Sequence, residues 1–170
     1  MSTTFLDKPH VAIGGHKSVP APAKPSPYIL VAEDNLETRQ LYMQILMCSG
    51  YRVDTAENGQ AAWNALESAR RESGRYDLLI TDNAMPELSG VDLVRKLRSA
   101  HMDLPVIMAS GTAPANLDEL HLAAILPKPI SLNRLVQAVD EILHWSTKAV
   151  NQRGDHLAQA FNTPPSWPEL

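Results

Sequence analysis

Cysteine occurs once in this chain, at Cys48, so no internal disulfide can form and the composition suits a reducing compartment. No run of about 18 consecutive apolar residues is present, which excludes a membrane-spanning helix, and Met1 to Lys8 lacks the apolar stretch of a secretory signal. A basic excess is missing too. The 15 Lys and Arg face 19 Asp and Glu, a net charge of −4, which argues against a general nucleic-acid binder. Aromatic residues are 5% of the chain, and both phenylalanines, Phe5 and Phe161, lie near the termini. A core must therefore come from aliphatic residues, Met, Tyr and Trp. What is present is ample for one: 44% of the 170 residues are hydrophobic and 20% charged, the balance of a globular domain with residues to spare. The expectation is a cytoplasmic, mildly acidic protein that binds neither nucleic acid nor membrane.

Proline places the boundaries. Five of the 13 prolines fall in residues 1–27, and Pro164, Pro165 and Pro168 crowd the other end. The run from Val19 to Pro27 reads as an extended, solvated linker. The sequence thus predicts a flexible N-terminal extension over 1–27, a domain over 28–147 and a flexible tail over 148–170. Residues 28–147 carry 10 basic and 16 acidic side chains, so the domain is more acidic than the whole chain. A short docking peptide around Phe161 or Trp167 is the alternative to plain disorder in the tails.

Within the domain, short apolar runs alternate with helical patterns. Tyr28–Ala32 reads as a strand that stops at Glu33-Asp34-Asn35. Leu36–Ser49 follows as a helix with Leu41, Ile45 and Leu46 as its apolar positions and Gly50 as its stop. Tyr51–Ala56 alternates as a strand; Ala61–Ala69 is helical with a stripe of Ala62, Trp63 and Leu66. Leu78–Thr81 is a strand ending at Asp82, and Val91, Leu93, Val94 and Leu97 mark a helix after Ser89-Gly90. Pro105–Ala109 is a strand ending at Ser110, Ala115–Leu122 a weaker helix, and Ala123–Leu126 a strand closed by Pro127-Lys128-Pro129. The last helix has Ser131 as its cap and Leu132, Leu135, Val136, Val139, Ile142 and Leu143 as its stripe. Repeated βα units in this length predict an α/β fold: a doubly wound, five-stranded parallel sheet with helices on both faces.

In such folds ligands gather at the carboxyl ends of the strands. Those ends carry Glu33 and Asp34, Asp82, Ser110 and Lys128. Converging carboxylates repel unless a cation neutralises them, and all-oxygen donors with room for water favour Mg²⁺. Lys128 adds a charge suited to a phosphoryl oxygen. Each residue alone has a plainer use: Glu33 and Asp34 or Asp82 as helix or turn caps, Ser110 in a turn before Gly111, Lys128 as a surface lysine. The six histidines show no ligand spacing and read as surface residues. Cys48 reads as a small packing residue, and Trp63 and Trp145 as core or rim.

The segments Ile29–Asn35, Leu79–Pro86 with Ser89-Gly90, Pro105–Ser110 and Leu126–Pro129 together resemble the receiver domain of bacterial response regulators, the CheY-like superfamily with its flavodoxin-like fold. The resemblance covers roughly residues 28–145. It implies that Asp82 is the phosphoacceptor, attacking a phosphohistidine to form an aspartyl phosphate. It implies that Glu33, Asp34, Asp82 and the backbone carbonyl of Ala84 hold Mg²⁺, and that Ser110 and Lys128 bind phosphoryl oxygens. It also implies a cis peptide bond before Pro129, which sequence alone cannot show.

Two features depart from the family. The position three residues before the lysine is usually Tyr or Phe; here it is Ile125, which cannot exchange between buried and exposed aromatic rotamers. The stretch from Ser110 to Lys128 is several residues shorter than usual, predicting a shrunken or displaced fourth helix and an altered signalling face. At the tuning positions, Ala84 offers no group to orient a hydrolytic water, and Thr112 is small and polar.

The expected function is a single-domain response regulator: phosphorylated on Asp82 by a histidine kinase or histidine phosphotransfer protein, with Mg²⁺, and acting on a downstream protein of unknown identity. Only 23 residues follow residue 147, too few for a DNA-binding output domain, and no second catalytic site is visible. Two other classes stay open. One is a receiver-like interaction module that works without phosphate, as Ile125 and the shortened helix would suit. The other is an aspartyl phosphatase, whose second acid would fall where Ala84 stands. Homodimerisation is also left open.

Overall fold

A computed structural model describes residues 25–72, 74–112 and 117–151, the side chains of 117–118 and 144–151 excepted. Five strands, β1 (Tyr28–Ala32), β2 (Arg52–Ala56), β3 (Leu78–Asp82), β4 (Val106–Ser110) and β5 (Ala124–Pro127), form one parallel sheet in the order β2-β1-β3-β4-β5. Four helices connect and close it: α1 (Leu36–Cys48), α2 (Gly59–Arg71), α3 (Gly90–Ser99) and α4 (Leu132–Asn151). The doubly wound α/β architecture is the one the alternating pattern implies.

Strand residues alternate between two cores. Leu30, Leu79, Val106 and Met108 face α2 and α3, with Trp63, Leu66, Leu93 and Leu97 packed against them. Ile29, Val31, Leu78, Ile80, Ile107 and Leu126 face α1 and α4, against Tyr42, Leu46, Leu135, Val139 and Ile142. Because β3 and β4 are buried along their whole length, they read as continuous apolar runs, as central parallel strands do. Strand order reverses between β1 and β3, so a crevice opens at their carboxyl ends.

The turns that leave these ends are fixed by capping. Asn35 Oδ1 accepts from Thr38 N at 2.8 Å, Asn58 Oδ1 from Ala61 N at 2.7 Å and Ser89 Oγ from Asp92 N at 3.1 Å, each satisfying an otherwise orphaned helical N–H. At α4, Ser131 Oγ accepts from Arg134 N at 3.3 Å, as its capping role predicts.

Three expectations need correction. In α1 the buried positions are Tyr42 and Leu46, while Leu41 is 46% exposed. That helix carries apolar residues nearly all round, so its own periodicity does not select a face. Cys48, the last residue of α1, is exposed rather than a packing residue. The weak helix expected over 115–122 is a single 3-10 turn, Leu117–Leu120, within the described residues. Arg98 explains how so short a turn is anchored. Its guanidinium donates to the carbonyls of Met102 and Leu104 in one direction and of Leu120 and His121 in the other, all at 3.0–3.1 Å. Leu120 itself is buried. The last helix runs past residue 147 to Asn151. His101 and His121 are exposed and Trp63 is in the core; residues 1–24 and 152–170, with His10, His16 and His156, and the side chains of His144 and Trp145 lie outside what is described.

The start of α3 is pressed against the end of β3. A Cβ on Gly90 would lie 2.2 Å from the Asp82 carbonyl oxygen and 2.9 Å from Asn83 Cα, while Gly90 N donates to Asn83 O at 3.0 Å. Glycine is therefore required by close backbone approach. Gly90→Ala should destabilise the fold by about 1–3 kcal/mol in urea denaturation. Gly111→Ala, where an added Cβ meets nothing within 4 Å, should change stability by no more than about 0.5 kcal/mol.

Candidate functional site

Every strand that borders the crevice ends in a polar residue. Glu33 directly follows β1, Asp82 closes β3, Ser110 closes β4 and Lys128 follows β5. Glu33, Asp82 and Ser110 are buried, whereas Asp34 is exposed at the mouth. One carboxylate oxygen from each of Glu33, Asp34 and Asp82 lies within 4.8 Å of the others. Between two of them sits the Lys128 ammonium, 3.0 Å from Glu33 Oε2 and 2.7 Å from Asp82 Oδ2.

The backbone explains how Lys128 arrives there. Ser110 stands opposite Pro127 in register, so the slanted bonds of the parallel ladder reach the residue after Pro127. The Ser110 carbonyl accepts from Lys128 N at 2.9 Å, and the Lys128–Pro129 peptide is cis, as the resemblance implies. Asp82 is held from the other side: Ala84 N donates to its Oδ1 at 3.3 Å, and Asn83 N donates to Ala109 O at 3.0 Å.

The electrostatics follow from burial and pairing. Burial pushes the Glu33 carboxyl above its ordinary value; the Lys128 hydrogen bond and charge pull it back in part, and the neighbouring Asp82 charge raises it again. Burial alone would lower the Lys128 ammonium, but its hydrogen bonds to Asp82 and Glu33 and their charges overcome this and raise it. The nearby Tyr42 phenol is raised first by burial, with the charges of Lys128, Glu33 and Asp82 all acting on it.

Of the residues singled out from the sequence, Glu33, Asp34, Asp82 and Lys128 meet. Ser110 is at the neighbouring strand end, but its hydroxyl donates to the Thr112 carbonyl at 2.7 Å. Ala84 and Thr112 are exposed at the rim, and Ile125 sits half-buried on edge strand β5, opposite Met108. Two residues not singled out belong to the site's surroundings. Tyr42 packs beneath it, and Arg39 Nη1 donates to the carbonyls of Glu33 at 2.6 Å and Asp34 at 3.1 Å. The sequence signal for Arg39 is its place one turn into the helix that follows the acidic pair; Tyr42 carries none, since it reads as an ordinary apolar position.

A family model for the response regulator receiver domain matches residues 29–140. The chain belongs to the response regulator receiver domain family. This receiver is 32% identical over 119 residues to the response regulator receiver protein CpdR of Brucella abortus, covering 68% of this chain and 95% of CpdR. It is also 32% identical over 141 residues to the 3',5'-cyclic-nucleotide phosphodiesterase regA of Dictyostelium discoideum, covering 77% of this chain but 17% of that protein. Among solved structures it is similar to the response regulator protein TrrA of Thermotoga maritima in complex with Mg²⁺-BeF. That match has 29% identity and a TM-score of 0.59, covering 69% of this chain and 99% of TrrA. Among the described residues, no helix is long and apolar enough to cross a membrane.

The raised Glu33 carboxyl has a measurable consequence. The folded, metal-free receiver binds a proton on Glu33 more tightly than the unfolded chain does. By linkage this favours folding at low pH, and the benefit is lost as pH rises through the raised value. Metal-free denaturation of wild type and Glu33→Gln should therefore diverge as pH climbs above the ordinary glutamate value of 4.5, wild type losing stability relative to the variant.

Proposed function

We propose that this receiver accepts a phosphoryl group on Asp82 from a phosphohistidine and signals through protein–protein contact, as a single-domain response regulator. The observation that carries the proposal is the close set of three carboxylates, Glu33, Asp34 and Asp82, with Lys128 inserted among them at the switch point of the sheet. The donor set fits Mg²⁺: hard oxygens only, an exposed Asp34 at the mouth, and excess negative charge that a single ammonium leaves unbalanced. Glu33, Asp34, Asp82 and the Ala84 carbonyl would hold the ion. TrrA's complex with Mg²⁺-BeF supports the same assignment. The ion, when bound, supplies neutralisation of the charge on the transferring group.

The chain's own residues do the rest. Lys128 engages Asp82 Oδ2 at 2.7 Å, whereas Oδ1, whose contact among the described residues is the long 3.3 Å one from Ala84 N, is the oxygen placed to attack phosphorus. The P–O bond to Asp82 forms as the P–N bond to the donor imidazole breaks, and the imidazole leaves with its electron pair. Lys128 pairs with one phosphoryl oxygen. Ser110 gives up Thr112 O to bond another, which converts phosphorylation into a change at the Ser110–Thr112 turn.

The phosphodonor protein docks along α1. The large hydrophobic side chains exposed among the described residues are Leu36, Leu41 and Met47, all on α1, which begins directly after the acidic pair. Exposed apolar side chains on the helix that leaves a reactive site suit a protein-contact surface.

Incubation with a small phosphodonor and Mg²⁺ should add one phosphoryl group by intact mass. The gain should disappear in Asp82→Asn and in chelator; labelling that persists in Asp82→Asn would place the phosphoryl group on another residue, and no labelling of wild type would favour the phosphate-independent module. Leu41→Asp combined with Met47→Asp should slow transfer from a phosphorylated histidine-containing protein by about tenfold. Labelling by the small donor should stay unchanged.

A further inference from the structure

We infer that Arg39 is a positioning residue for the divalent-cation site, acting on the backbone that carries the two acids rather than on their charge. The inference rests on the proposed metal site and extends it. The ladders of β1 end at Ala32, opposite Ala56 on one side and Thr81 on the other. Beyond them, Glu33 N still donates to Ala56 O at 3.1 Å, but the carbonyls of Glu33 and Asp34 lie past the last register pair. One nitrogen of Arg39 takes both: Nη1 is 2.6 Å from Glu33 O and 3.1 Å from Asp34 O. Arg39 is itself fixed by the first turn of α1, its N–H donating to Asn35 O at 2.9 Å.

A donor shared between consecutive carbonyls sets the relative tilt of the two peptide units, and with it the directions of the two side chains mounted there. Glu33 is turned inward, 2% exposed, toward Asp82 and Lys128, while Asp34 is turned out to the mouth. The metal donors come together only with that divergence. Among the described residues Arg39 makes no ion pair with a carboxylate; Lys128 is the cation at Glu33 and Asp82. Its contribution is therefore geometric, of the kind made by groups that orient metal ligands from behind.

Charge and geometry give opposite signs, which makes the test decisive. A guanidinium acting only through its field repels Mg²⁺, so removing it would tighten binding; a guanidinium that aims the ligands would, when removed, weaken it. Mg²⁺ alone is titrated calorimetrically into metal-free full-length wild type, Arg39→Lys and Arg39→Met, each verified as folded by far-UV circular dichroism. Arg39→Met should bind Mg²⁺ about ten- to a hundredfold more weakly. Arg39→Lys, which keeps the charge and one donor to the carbonyls, should fall between it and wild type and remains testable if the Met variant does not fold. Unchanged or tighter binding in both variants, with wild type binding normally, overturns the inference alone. Wild type that binds no Mg²⁺ overturns the functional proposal and this inference with it.

Discussion

The Lys128 ammonium is the charge on which the rest of this site depends. Two nearly buried carboxylates, Glu33 and Asp82, would repel one another across the crevice, and Lys128 bonds to both at once. An uncompensated buried charge is among the costliest features a fold can carry. The position of Lys128 is in turn set by the end of β5, where its amide continues the ladder by bonding the Ser110 carbonyl. The sheet edge thus delivers a cation to its centre.

The loops that carry chemistry are the same loops that start helices. Asn35 caps α1 one residue after Asp34, and Ser89 caps α3 in the loop that leaves Asp82. Gly90 lets α3 press on the Asp82 backbone, and the Asn83 side chain accepts from Val91 N at 3.3 Å. Stability and site geometry are therefore coupled: a helix that frays at its first turn also loosens a site residue.

Away from the crevice, among the described residues, a 3-10 turn stands where the sequence pattern suggests a helix, and Arg98 ties its end, through the carbonyls of Leu120 and His121, to those of Met102 and Leu104 in the α3–β4 connection. Ile125 sits half-buried on β5, opposite Met108. The hydroxyl of Ser110 bonds the Thr112 carbonyl, so a change at that hydroxyl is felt first in its own turn.

Much of this was legible in one dimension. Apolar strands stopping at charged residues revealed the sheet, the order of its units and the identity of Glu33, Asp34, Asp82, Ser110 and Lys128, because a parallel sheet must place all its carboxyl ends on one edge. Other features were decided only in three dimensions. The face that α1 buries was not legible, since a helix apolar all round is oriented by the surface it meets; Tyr42 and Leu46 won that contact and Leu41 did not. Nor were the roles of Arg39 and Arg98 legible, because both bond to backbone carbonyls, and a carbonyl left without a partner leaves no mark in the sequence. Local sequence determined which side chains reach the crevice; tertiary packing decided which backbone groups needed satisfying there, and so which arginines hold it in shape.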